Sequence, residues 1–198
     1  MKYIVYRTLK FIAKPLFWLI FHPKINGVEN IPNNESVILA GNHTGFLDAI
    51  LMLYAPKEIV HMMAKKELFN TKFKYWFFKS MGCISVDRSI HDKNAKASAM
   101  QILNEGGIVG IFPEGTVNKT SKAILPFKYG AVSMASKTNS YIVPFSITGK
   151  YFKRNITITY GMPYKVGNDL EIENNILEQK VIRLIKENQR WKMLFISY

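Results

Sequence analysis

Cys83 is the only cysteine in 198 residues. The chain therefore holds no internal disulfide framework and no cysteine-based zinc site, and it fits a reducing compartment. Acidic residues are scarce too. Fourteen Asp and Glu stand against 27 Lys and Arg, for a formal net charge of +13. Such a bias points to an anionic partner: nucleic acid, an acidic lipid surface or a phosphorylated substrate. Long apolar runs are missing. The uncharged stretch from Pro15 to Pro23 spans nine residues, against about 20 for a membrane-crossing helix, so a conventional single-helix crossing is not expected. A secretory signal does not fit either, because Lys14 and Pro15 interrupt the apolar region and no small-residue cleavage site comes after them. There is no G-x-S-x-G turn to carry a serine nucleophile. His22, His61 and His91 show no ligand spacing with His43 or with one another, so no metal site is expected.

What is present suits one globular domain. Hydrophobic residues make up 48% and aromatics 13%, enough for a core. The basic excess begins at once: residues 1–28 carry Lys2, Arg7, Lys10, Lys14 and Lys24, with no acid before Glu29. Val5, Leu9, Ile12, Leu16 and Leu19 recur at helical intervals, and Arg7, Lys10 and Lys14 recur on another face. An apolar face beside a basic one suits a helix lying in an anionic membrane interface, with Phe17 and Trp18 as further contacts. Pro15 is expected to break it into two short pieces. The same periodicity fits a helix packed on the core equally well; the missing acids and the Phe17–Trp18 pair favour the interface.

From about residue 36 the pattern alternates. Strands are predicted over 36–41, 59–63, 83–86, 107–112, 141–147 and 155–160, and helices over about 46–54, 71–80, 93–105, 127–137 and 171–191. Strands alternating with helices predict an α/β fold with a mostly parallel central sheet flanked by helices. No helical pattern precedes 155–160, which therefore reads as an antiparallel or edge strand. If the other strands are parallel, the residues just after each one emerge at a common edge, where open α/β sheets bind ligands. His43 comes after the first strand, Lys65 and Lys66 after the second, Arg88 after the third and Glu114 after the fourth.

The stretch "VILAGNHTGFLDAI" (Val37 to Ile50) places His43 in a turn and Asp48 at a helix start. On one helix, five residues turn about 500° and leave the two apart; with His43 in the turn they can meet. Asp48 would then hold one ring nitrogen and leave the other free as a base, work typically worth about 10²–10⁴-fold. No nucleophile completes a triad: Thr44 is adjacent in sequence, and Cys83 reads as a small core residue. The base would therefore act on a hydroxyl of the substrate itself. In "FPEGT" (Phe112 to Thr116), Pro113 and Gly115 shape a tight turn, and the amides of Gly115 and Thr116 are candidate donors to an anion or oxyanion. Arg88 suits bidentate phosphate binding, with an ion pair to Asp87 or Glu67 as the alternative.

Together these segments resemble the glycerolipid acyltransferases, specifically the bacterial 1-acylglycerol-3-phosphate acyltransferases of the PlsC type. "NHTGFLD" matches their N-H-x4-D signature, "AKKELF" and "GCISVDRS" their second motif, "FPEGT" their third and "YIVPFSITG" their fourth. The resemblance covers about residues 25–165. It implies an amphipathic membrane-interfacial segment over 1–28 and an α/β acyltransferase domain over 29–198. The implied reaction is transfer of a fatty acyl group from acyl-CoA or acyl-carrier protein to a lysophosphatidate hydroxyl, giving phosphatidate. It implies His43 as base, Asp48 as its orienting partner, and Arg88, Glu114, Gly115, Thr116 and Lys65 around the phosphate and glycerol. It implies no metal and no redox cofactor, and a peripheral or monotopic place on the cytoplasmic face of the cell membrane. In one position the chain departs from the family. "FPEGT" is usually continued by arginine, and here Val117 stands in that place. Lys119 or Lys122 would have to replace that phosphate contact, or the acceptor is glycerol 3-phosphate or another lysophospholipid. A non-catalytic basic module binding membrane or nucleic acid ranks below these readings. The basic residues are spread along the chain and no nucleic-acid recognition signature occurs.

Overall fold

Five apolar segments run parallel at the centre of the structure, with helices packed over both faces of the sheet they form. The computed structural model describes residues 3–90 and 92–196, with side chains through residue 190; Lys2 and His91 lie outside the described residues. Helix α1 (Ile4–Phe21) is followed by β1 (Lys24–Asn26), β2 (Val37–Gly41), α2 (Asp48–Tyr54), β3 (Val60–Lys65), α3 (Lys72–Ser80), β4 (Ile84–Val86), α4 (Lys93–Asn104), β5 (Ile108–Ile111), α5 (Gly130–Thr138), β6 (Tyr141–Thr148), β7 (Thr157–Tyr160), β8 (Tyr164–Lys165) and α6 (Leu170–Ile196). The sheet order is β1–β7–β6–β2–β5–β3–β4, with β8 also on β6. Strands β6, β2, β5, β3 and β4 are mutually parallel. The α/β fold expected from the alternating pattern is the one found.

β2 is buried at every position, as befits a parallel strand covered on both faces. Its side chains divide by the period of two. Val37 and Leu39 join a cluster with Phe17, Phe21, Leu51, Met52, Phe145 and Tyr160, under α1 and α2. Ile38 and Ala40 join Ala99, Leu103, Ala131, Met134, Leu177 and Val181, under α4, α5 and α6. Local signals fix several helix ends. Thr71 and Asp92 cap α3 and α4, accepting from Lys74 N (3.2 Å) and Ala95 N (2.9 Å), and Asn139 closes α5 in a left-handed conformation (φ 46°).

β7 is antiparallel to β6, as the missing helix before it implied, but it is not an edge: β1 pairs outside it. The sheet thus begins before residue 29. Pro144 falls between the residues of β6 that pair with β8 (141–142) and those that pair with β7 (145–148). On that flank its missing N–H costs no strand bond.

α1 departs from expectation in two ways. Pro15 lies inside a continuous helix. Proline removes one backbone bond, but here it falls in an exposed run, residues 11–16, while the helix is held on both sides of that run. Before it, Tyr6 is buried and the Lys10 ammonium donates to Pro56 O. After it, Phe17 and Phe21 enter the core. Phe17 is therefore a core residue, 6% exposed, and not a membrane contact. Lys10 is likewise half-buried; burial and the nearby Lys14 pull its pKa down to about 8. The opposite face leaves Ile4, Phe11, Ile12, Leu16, Trp18, Leu19 and Ile20 exposed, Phe11 at 82%. No helix among the described residues is long and apolar enough to cross a membrane.

Gly41 ends β2 opposite Phe145. A methyl group there would lie 2.2 Å from Phe145 O and 2.6 Å from its ring. Gly41→Ala is expected to lower unfolding free energy by about 1–3 kcal/mol, the usual cost of overpacking; urea denaturation followed by circular dichroism measures it.

Candidate active site

Because the five strands are parallel, their carboxyl ends meet at the same edge of the sheet: β3 ends on Lys65, and the segments after β2, β4, β5 and β6 carry His43, Arg88, Glu114 and Tyr151. His43 comes after the central strand. Its Nδ1 lies 3.0 Å from Asp48 Oδ2. Asp48 opens α2 and has no exposed surface. Its Oδ2 also accepts from the amides of Thr44 (2.5 Å) and Gly45 (2.8 Å), and its Oδ1 accepts from the Tyr151 hydroxyl (2.6 Å) and the Thr44 hydroxyl (3.3 Å). An acceptor-only carboxylate in this cage accepts a hydrogen bond from Nδ1–H, which holds the proton on Nδ1 and leaves a lone pair on Nε2. Among the described residues none hydrogen-bonds to Nε2. The imidazole lies flat on Phe112, with ring centroids 4.0 Å apart and planes 10° apart. Stacking and the Asp48 bond together fix the ring.

Glu114 faces inward. It is 4% exposed. Its Oε1 accepts from the His43 amide and its Oε2 from the Leu125 amide, each at 2.7 Å. Burial raises its pKa, against the pull of those two amides and of His43. Both oxygens are engaged with the backbone, so Glu114 braces the loop. The loop is tied down again where Asn118 N donates to His43 O (2.8 Å). The Gly115 amide is not free for an anion: it closes the turn on Phe112 O (3.0 Å). Gly115 takes φ 72°, a conformation that favours glycine. Thr116 is exposed beside it.

Arg88, exposed after β4, reaches past β3 to the loop after β5, where it donates to Gly115 O (2.7 Å). That leaves further guanidinium donors for a ligand. Its sequence neighbour Asp87 pairs instead with the Lys66 ammonium, and with the Ser89 hydroxyl and amide its pKa falls to about 2. Lys65 pairs with Glu67 (3.1 Å) at the rim, both half-exposed. Lys119 and Lys122 are exposed on the loop that starts at Asn118. Arg7 and Lys14 are exposed on α1, Lys14 over the Tyr54 ring (5.2 Å), and Trp18 is 52% exposed beside His22. Cys83 is half-buried against the core and its thiol is pushed up to about 11 by burial, so it is no thiolate near neutral pH. Among the described residues no group of three or more His, Cys, Asp or Glu is placed to hold a metal ion.

Two participants escape sequence reasoning. Tyr151 lies 103 positions from Asp48 and carries no local signature. Phe112 stands inside "FPEGT", but nothing in that string shows that its ring supports the imidazole.

A family model described as Acyltransferase matches residues 22–148. The chain belongs to that family. Among curated members, the 1-acyl-sn-glycerol-3-phosphate acyltransferase of Borreliella burgdorferi is 34% identical over 142 residues, covering 70% of this chain and 56% of the relative. The enzyme of the same name from Bacillus subtilis is 37% identical over 128 residues, 64% of this chain and 62% of the relative. The chain thus spans somewhat more than half the length of these acyltransferases. The solved 1-acyl-sn-glycerophosphate acyltransferase PlsC from Thermotoga maritima superposes with a TM-score of 0.78 at 24% identity, covering 93% of this chain and 80% of that one. The acyltransferase fold is common to both.

Glu114→Gln would leave one of two buried amides facing an NH₂ group. It is expected to lower unfolding free energy by about 1–3 kcal/mol, the cost of an unsatisfied buried donor, with no loss of helix content; denaturant titration with circular dichroism checks both.

Proposed function

We propose that the chain transfers a fatty acyl group from an acyl thioester to the sn-2 hydroxyl of 1-acylglycerol 3-phosphate, giving phosphatidate. The observation that carries this reading is the His43–Asp48 pair, its ring fixed and its Nε2 without a hydrogen-bond partner among the described residues, in a chain of the Acyltransferase family. His43 Nε2 takes the proton of the acceptor hydroxyl as its oxygen bonds to the thioester carbonyl carbon. The tetrahedral intermediate then collapses. The carbon–sulfur bond breaks, and the departing thiolate takes the proton back from His43, so no acyl-enzyme forms. Asp48 stabilises the imidazolium between the two steps. Arg88 binds the acceptor phosphate. Acyl-CoA or acyl-carrier protein is the donor, and the reaction calls on no metal or redox group.

The acceptor and product are membrane lipids, and the outer face of α1 suits an anionic bilayer on the cytoplasmic side. Phe11, Ile12, Leu16, Trp18 and Leu19 are exposed there, with Arg7 and Lys14 beside them. α3 lies against α1 and adds exposed Phe73, Tyr75 and Trp76 among Lys72, Lys74 and Lys79, an interfacial composition. Val117, in place of the family's arginine, favours a second reading for the acceptor only: glycerol 3-phosphate or another lysophospholipid.

Thiol release from acyl-CoA or acyl-carrier protein tests the proposal, with lysophosphatidate, glycerol 3-phosphate and other lysophospholipids as acceptors. Turnover should require lysophosphatidate and fall about 10²–10⁴-fold in a folded His43→Ala variant. Unchanged turnover in that variant would refute the mechanism, and preference for another acceptor would replace the substrate. In a separate measurement, Phe11→Ser with Trp18→Ser should weaken sedimentation with phosphatidylglycerol vesicles at least tenfold while leaving the melting temperature unchanged.

A further inference from the structure

Tyr151 touches Asp48 on the side away from His43, and the reaction steps assign it nothing. It opens a short 3₁₀ turn, Tyr151–Lys153, directly after β6. Its hydroxyl donates to Asp48 Oδ1 at 2.6 Å, a short bond of the charge-assisted kind. Its ring meets Phe21 edge-on (5.5 Å between centroids) and Phe17 (6.3 Å), both from α1. Three residues on, the Arg154 guanidinium donates to Leu19 O (2.7 Å) and Ile20 O (3.3 Å) in the last turn of the same helix. The turn is thus fastened to α1 while its first residue reaches the buried carboxylate.

The two oxygens of Asp48 do different work. Oδ2 holds the imidazole and the two loop amides. Among the described residues Oδ1 has two partners, both hydroxyls: Tyr151 and the more distant Thr44. A donor on Oδ1 sets the rotation of the carboxylate plane, which aims Oδ2 at Nδ1. It also draws negative charge away from Oδ2, which weakens the hold on an imidazolium. Burial and the Asp48 charge keep the phenol protonated, hence a donor.

We propose that Tyr151 is a positioning residue: through Asp48 its hydroxyl sets both the orientation and the basicity of His43. The proposal rests on the acyltransferase reading for its kinetic consequence and on the geometry alone for its electrostatic one. Other charged or titratable groups around the pair are Glu114 at the His43 amide, Arg88 and Lys128 at Gly115, and Lys14 of α1 over Tyr54 of α2. Substitutions at Tyr151 leave all of them in place.

The test is a ring-carbon NMR titration of histidine-labelled full chain, with the His43 signal assigned by its loss in His43→Gln. In Tyr151→Phe the ring packing stays and only the donor goes. The His43 midpoint should rise by about half to one pH unit, the equivalent of one hydrogen bond. The acid limb of kcat should move with it, and kcat should fall several-fold at unchanged KM for the acceptor. Replacing Tyr151 by 3-fluorotyrosine, a stronger donor, should move the midpoint the other way; it also serves if Tyr151→Phe fails to fold. A midpoint unmoved by either change in folded protein overturns the proposal, even if kcat falls. The titration needs no substrate. If the wild type does not acylate lysophosphatidate, the functional reading fails by itself and the titration still judges Tyr151.

Discussion

A carboxylate removed from water costs several kcal/mol unless donors surround it, and Asp48 has no exposed surface at all. Its five donors come from a short loop, from His43 in that loop and from a tyrosine beyond the far end of β6. Withdraw any of them and a charge is left under-satisfied in the interior. That one requirement curls the chain between Asn42 and Asp48 and selects the histidine tautomer. It also joins the end of β6 to the start of α2. Glu114 repeats the device one strand away, its two oxygens binding two backbone amides. Two inward carboxylates hold the loop, and the imidazole is what remains facing the open edge.

The sheet makes this arrangement possible. β2 lies between β5 and β6 in register, Ala40 beside Ile111 and Pro144, so the loops after β2 and β5 leave at one level, while β6 runs on to Thr148 before its own loop turns back toward them. Those loops supply His43, Glu114 and Tyr151. Arg88 comes from the far edge strand, yet its long side chain still reaches Gly115. The division of labour reflects position: the central loops hold the base, and the peripheral strands deliver cations around it.

Strong alternation made the parallel sheet legible in the sequence, and strand ends made the convergence of His43, Arg88 and Glu114 legible too. The His43–Asp48 pair could be read because both partners sit within five residues. The limits have physical causes. β1 and β8 are two or three residues long, too short to show any period. Helix-breaking by Pro15 is a local preference, and packing at Tyr6 before it and Phe17 and Phe21 after it overrides that preference. Phe17 is apolar in either setting, so composition did not tell a core contact from a membrane contact. The direction Glu114 faces depends on Leu125 and His43, both outside what a turn motif encodes; the Gly115 amide, by contrast, closes on Phe112 O in the ordinary i to i+3 bond of such a turn. Tyr151 reaches Asp48 only after the whole sheet is assembled.

That last contact orders events during synthesis. A chain emerging from the ribosome presents His43 and Asp48 before Tyr151, which emerges more than a hundred residues later. Domains generally complete folding as units. Until β6 has docked beside β2, the carboxylate that aims the base lacks its main Oδ1 donor. A chain interrupted after α5 therefore carries the acyl-transfer pair in its sequence but not in its finished geometry. The site is closed only when β6 arrives, long after its two central residues have been made.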